Sequence, residues 1–144
     1  MHSPLYQRLA LALLRVFAAA VMMQHGAQKL FGLLGGINGK GGTVELMSQF
    51  GLAGILETFV ALLVLLGLFT RPAAFVLSGE MAWAFFQAHF PRGFWPVQNG
   101  GETPVLLCFI FLFFAAFGAG SFSLDALLAR NAEPGSTERS ITAA

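Results

Sequence analysis

Cysteine is close to absent from this chain. A single residue, Cys108, excludes an intrachain disulfide and a CxxC redox pair, so thiol relay chemistry within one copy is ruled out. Charge is nearly as scarce: Asp, Glu, Lys and Arg make up 10% of the 144 residues, and a net charge of +1 gives no basis for binding nucleic acid. Apolar residues fill the space, at 56% of the chain with a mean hydropathy of +0.72, well outside the usual range for a soluble domain of this size. The composition is that of an integral membrane protein.

A helix needs about 20 mostly apolar residues to cross a bilayer. Four stretches approach that length, near residues 8–31, 50–70, 73–90 and 103–120, which predicts an all-α, four-helix transmembrane bundle over residues 1–126. The first stretch follows Arg8 as a signal peptide would, but it outruns a typical signal core and lacks an A-x-A cleavage context, so it is expected to be retained. The glycine-rich run Gly32–Thr43 must be irregular backbone, and Val44–Phe50 after it is expected to form a short interfacial helix. Phe69-Thr70-Arg71-Pro72 makes a tight hairpin with Pro72 opening the third helix. Pro91–Glu102 mixes aromatics with turn formers and suits the headgroup level. Residues 127–144 read as a polar, disordered tail.

Arg8, Arg71, Arg130 and Arg139 fall on one side of such a bundle, and Lys29, Lys40 and Arg92 on the other. The bias of four to three favours both termini in the cytoplasm, with the two long loops outside.

The residues that a bilayer rejects are the informative ones, since each ionisable group within a span is a functional-site candidate. Arg15 and Glu80 stand at similar depth on antiparallel helices with opposite charge, which predicts a structural ion pair. Nearer the outer face, His25 and Lys29 are spaced i,i+4 with Gln28 beside them, and Glu57 lies on a strip of small residues, Ala53, Gly54 and Ala61, that favours close helix approach. His89 ends the third helix and Glu102 begins the fourth at the same level. His89 is nine residues from Glu80, about half a turn away in angle, so a straight helix cannot aim both at one axis; unwinding before Pro91 would relieve this.

Three readings of this outer group stay open. Two histidines and two carboxylates could ligate a transition metal, although no metal-binding spacing is present. The same groups could hydrogen-bond and protonate a quinone headgroup: His25, Glu57 and His89 as proton-transferring groups, Gln28, Lys29, Trp95, Asn99 and Glu102 around the headgroup, with Phe86, Phe94 and Trp95 as an apolar wall. Or they form an interfacial polar network, Lys29 snorkelling to headgroups and His25 capping carbonyls.

The succession HGAQKLFG (His25–Gly32), GILETFVALLVLLGLFTRPAA (Gly54–Ala74), GEMAWAFFQAHFPRGFWPVQNGGE (Gly79–Glu102) and GAGSFSLD (Gly118–Asp125) resembles the DoxX family of small bacterial four-helix membrane proteins. The likeness runs in order over residues 8–126. Polar positions that match the family are His25, Gln28, Lys29, Glu57, Arg71, His89, Asn99, Glu102 and Asp125. The family takes its name from a subunit of a thiosulfate:quinone oxidoreductase, so the resemblance implies a membrane subunit of a quinone-linked, sulfur- or thiol-related redox system. No flavin or haem motif is present, and such a subunit would depend on a redox partner protein. The alternatives are a small carrier or channel for a polar solute, which four short spans would serve best as a homo-oligomer, and an anchoring or assembly protein without chemistry of its own.

Overall fold

The computed structural model describes residues 4–132, and these are helical with irregular connections and no strand. Helix α1 runs Leu5–Phe31; α2 (Gln49–Ile55) continues through a π turn at Leu56–Val60 into α3 (Ala61–Leu66). Helix α4 (Thr70–Ala84) likewise continues through a π turn at Phe85–His89, followed by a short 3-10 turn. A single turn, α5 (Pro96–Asn99), precedes α6 (Glu102–Phe117), and α7 (Leu124–Ala132) closes the described chain. Two of these rods, Leu5–Phe31 and the continuous Gln49–Leu66, are long and apolar enough to cross a membrane, and Glu102–Phe117 is a shorter apolar helix.

Neighbours pack in chain order: α1 against α2–α3, α2–α3 against α4, and α4 most extensively against α6, with a slighter contact from α6 back to α1. Helix α1 and helix α4 therefore face each other across the diagonal. The buried stripe of α1 is Arg15, Ala18, Ala19, Met22 and Gly26, and that of α4 is Thr70, Ala73, Ala74, Leu77, Ser78 and Met81, both at the three- and four-residue spacing of one helix face. Small residues fill these stripes, while Phe17, Phe59, Phe75, Phe109 and Phe117 point outward. Small inside and large outside lets backbones approach closely and gives the bundle an apolar exterior.

Glycine sets the closest crossing. A Cβ on Gly26 would lie 2.3 Å from Thr58 Oγ1 and 2.9 Å from the Gly54 carbonyl, and one on Gly54 would lie 3.1 Å from Lys29 Cβ. Only hydrogen at both positions allows α1 and α2–α3 to touch backbone to backbone at the level of Glu57.

Several expected boundaries move. The second span ends at Leu66, short of residue 70, because Gly67 adopts a left-handed conformation (φ 69°) and its neighbour Leu68 returns a hydrogen bond to Leu63 O at 2.9 Å. Val44–Phe50 is not an interfacial helix: Ser48 caps α2 by accepting from Gly51 N at 3.1 Å, so Phe50 already belongs to the second rod. Helix α4 opens at Thr70, two residues before Pro72. Helix α7 carries order past residue 126, since Ser123 Oγ accepts from Ala126 N at 3.2 Å and starts a new helix. The remainder of the expected tail, 133–144, lies outside the described residues.

At the end of the bundle near the start of α1, a knot of polar contacts joins three segments. Arg15 donates to the carbonyls of Ala119 (2.6 Å) and Phe122 (2.8 Å). Asp125 accepts from Phe69 N (2.8 Å) and Thr70 N (3.0 Å), satisfying the open donors at the start of α4. Its own N–H donates to Gly67 O at 2.8 Å, and Arg8 reaches Ser121 Oγ at 2.6 Å.

Candidate functional site

At the opposite end, a cavity of about 280 Å³ is lined by His25, Glu57, Met81, Ala84, His89, Gly100, Thr103, Pro104 and Leu107. Four separate stretches of chain contribute, and each is positioned by a local device. His25 comes from α1 one residue before the glycine contact, and is exposed. Glu57 comes from the π turn of the second rod and is 3% exposed. One of its oxygens, Oε1, accepts a hydrogen bond from Lys29 Nζ in the one ion pair among the described residues. The other, Oε2, is buried without any hydrogen-bond partner.

His89 reaches the cavity through the second π turn. In a continuous α-helix the residue stacked above Ala84 is Ala88, four positions on; in the π turn the Phe90 N–H bonds back to Phe85 O, five positions away, and His89 takes that place. The unwinding expected before Pro91 therefore takes the form of one extra residue per turn. The Nδ1 of His89 is engaged, lying 3.0 Å from an Arg92 Nη2 and 3.2 Å from Asn99 O. Arg92 can only donate, so its contact fits the tautomer with Nδ1 as acceptor, in which the Asn99 O contact is not a hydrogen bond, and with the proton on Nε2, which has no partner among the described residues.

The other sequence candidates divide. Lys29 belongs to the site through Glu57. Asn99 is buried, but its side chain is spent on the loop: Nδ2 donates to Gly93 O at 2.7 Å and Oδ1 accepts from Gly101 N at 2.8 Å. It shapes the wall rather than offering a ligand contact. Gln28 donates to Leu34 O at 3.4 Å in the glycine-rich loop, and Trp95 and Glu102 are exposed; none of the three lines the cavity. Phe86 and Phe94 are exposed too, so the apolar wall comes from Met81, Pro104 and Leu107 instead. Sequence reasoning missed Thr103, which brings a hydroxyl, and Arg92, which fixes the His89 ring.

Arg15 and Glu80 do not pair. Arg15 is tied to the loop carbonyls 119 and 122, beside Asp125, while both carboxyl oxygens of Glu80 are buried with no hydrogen-bond partner. Counting along helices gives depth but not azimuth, and α1 and α4 lie across the diagonal. Among the described residues no group of three or more His, Cys, Asp and Glu stands close enough to hold a metal ion.

The arrangement can hold a small polar-edged group against an apolar wall. A free carboxylate oxygen beside a paired lysine accepts a hydrogen bond or a proton, and two imidazoles at the rim donate or relay one.

Comparison with known proteins gives two matches. The sequence profile described as DoxX matches residues 10–90. A protein of Haemophilus influenzae (strain ATCC 51907 / DSM 11121 / KW20 / Rd), described only as an uncharacterized protein, is 41% identical over 127 residues, covering 83% of this chain and 91% of the relative. No solved structure matches.

Proposed function

Because this chain belongs to the DoxX family, we propose that it is the four-span inner-membrane subunit of a quinone-linked redox system, with its substrate headgroup held in the cavity of His25, Glu57 and His89. Both termini lie on the cytoplasmic side in this reading, and the cavity opens outward. Support for four spans comes from the rods themselves. At 1.5 Å per residue Leu5–Phe31 extends about 40 Å, Gln49–Leu66 about 27 Å, Thr70–His89 about 30 Å and Glu102–Phe117 about 24 Å, comparable with a hydrocarbon core of about 30 Å. The outward Phe and Leu side chains give these rods the surface that lipid tails favour.

One observation carries the reading of the site: Glu57 is a lining residue of the cavity, its Oε1 is neutralised by Lys29, and its buried Oε2 has no hydrogen-bond partner among the described residues. A buried polar oxygen left without a partner costs about 1–3 kcal/mol, which a bound donor or a proton recovers. The residues present fit a quinone. About 280 Å³ is below the range of pockets that engulf a drug-sized ligand and suits one ring, with the isoprenoid tail left in lipid. A quinone, when bound, takes up two electrons and two protons, the electrons coming from a partner protein that oxidises a thiol or reduced-sulfur donor. This chain's part is to bind, orient and supply protons. The His89 Nε2–H donates to a carbonyl oxygen, Glu57 Oε2 exchanges a proton, and exposed His25 connects the cavity to water.

The test is protein purified in mild detergent, with mass spectrometry of the co-extracted lipids and titration with a short-tailed quinone. Stoichiometric quinone lost in Glu57→Gln and His89→Ala, both still helical and monodisperse, supports the site. A wild-type preparation that holds no quinone and binds none on titration refutes it.

A further inference from the structure

Helix α7 is nine residues long and buries none of them. A helix of that length is marginal in water unless something covers an apolar face. It has such a face: Leu124, Leu127 and Leu128, spaced i, i+3, i+4, form one stripe, and all three are exposed. Ala126 and Ala129 occupy the opposite side. The stripe therefore needs a cover that the described chain does not supply.

Level, continuity and charge point to the cover. Asp125, in the first turn of α7, caps the start of α4 and donates its N–H to Gly67 O at the end of the second rod, so α7 leaves the bundle at the turn between two rods. For a spanning rod, that is where hydrocarbon gives way to headgroups. Leu66, Phe69, Phe117 and Phe122, at the same end of the rods and in the loop before α7, are exposed and carry the apolar exterior of the bundle to this level. Arg71 and Arg130 are exposed here, and Arg8 contacts a serine hydroxyl and the Phe122 ring, 5.0 Å from its centroid, neither of which cancels its charge. The one acid at this end among the described residues, Asp125, is engaged by backbone N–H groups. Leucines on one face of a helix with uncancelled cations at its level match a bilayer surface that contains anionic phospholipid. A second copy of the chain would instead bring like charges together.

We propose that α7 is an interfacial helix that lies on the leaflet at this end of the bundle, with Leu124, Leu127 and Leu128 among the acyl chains and Arg130, Arg71 and Arg8 at anionic lipid phosphates. Because Asp125 caps α4 from the same helix, the lipid surface and the start of the third rod are joined through one element. The inference rests on the four-span placement proposed above and is independent of the quinone reading.

The experiment uses the full chain in vesicles of equal parts phosphatidylcholine and phosphatidylglycerol, in a Trp83→Phe/Trp95→Phe background where Leu127→Trp or Ala129→Trp supplies the sole tryptophan. Fluorescence is quenched from the bilayer by lipids brominated in the acyl chain and from water by acrylamide. Leu127→Trp should be quenched by the brominated lipid about threefold more than Ala129→Trp, and acrylamide should give the reverse order. Replacing phosphatidylglycerol with phosphatidylcholine should lower the brominated-lipid quenching of Leu127→Trp about twofold. Equal acrylamide access at the two positions, indifference to phosphatidylglycerol, or shielding of Leu127→Trp that rises with the protein-to-lipid ratio, as a second copy would produce, overturns the proposal. A Trp95→Phe chain that keeps Trp83 on the third rod reports the placement itself. Brominated lipid that quenches Trp83 but not Leu127→Trp refutes the α7 reading alone, and quenching of neither refutes the four-span placement together with it.

Discussion

Removing Lys29 from Glu57 should cost far more than removing both. The Glu57 side chain is 4% exposed and that of Lys29 21%, so the pair lies in a setting where water screens weakly. Two unit charges about 4 Å apart at an effective dielectric near 20 attract by about 4 kcal/mol, and desolvating the two ions offsets most of it. Lys29→Met leaves a buried carboxylate without its charge partner, and the expected loss is about 3–5 kcal/mol. The Lys29→Met/Glu57→Met double variant discards both the attraction and the desolvation penalty, and it should fall within about 1 kcal/mol of wild type or exceed it. The assay is SDS titration of detergent-solubilised protein followed by far-ultraviolet circular dichroism. A double variant as unstable as Lys29→Met alone would refute the reasoning, because it would mean that the cost lies in lost packing of the lysine stem and not in the stranded charge.

Other outcomes follow from the geometry. Gly26→Ala should destabilise by about 1–3 kcal/mol, since its methyl would lie 2.3 Å from Thr58 Oγ1, whereas Gly79→Ala should be neutral or stabilising by up to about 1 kcal/mol; the same SDS titration compares them. An Arg15→Met and Glu80→Gln double-mutant cycle should give a coupling energy below about 0.5 kcal/mol, as the two groups share no contact. Deleting Ala88 should convert the π turn to α-helix with His89 now four positions after Ala84, so His89 keeps its place at the cavity and quinone binding and helical content both survive, read by titration and circular dichroism.

Much of the helical layout is readable in the sequence because the apolar runs are long and the connections are marked by Gly and Pro. The polar residues inside those runs also point to the cavity, since His25, Glu57 and His89 are too costly in lipid to be there by default, and all three line it. What stays hidden are interactions that depend on azimuth or on distant chain. The π turns carry no signature in their residues, LETFV and FFQAH, yet they decide that His89 and not Ala88 faces the cavity. Arg15 has an oppositely charged residue at matching depth, and only the diagonal placement of α1 and α4 shows that its partners are backbone carbonyls more than a hundred residues away. Gly67 sits in an unbroken apolar run, so its left-handed conformation cannot be told from a glycine within a helix. Asp125 is a family-matching polar position in the sequence, and only the fold shows that it caps the start of α4, 55 residues earlier.

That cap has a bearing on how the protein is made. The third rod begins with leading N–H groups that are completed by a carboxylate from beyond the fourth. During synthesis the start of α4 stays open until residue 125 has left the ribosome, and Arg15 likewise waits for carbonyls 119 and 122. Three rods can form, but the seam between the first, third and fourth closes late and all at once. A chain truncated after Phe117 keeps every residue of its four rods and still lacks the clasp, and quality-control proteases would be expected to read that end as unfinished.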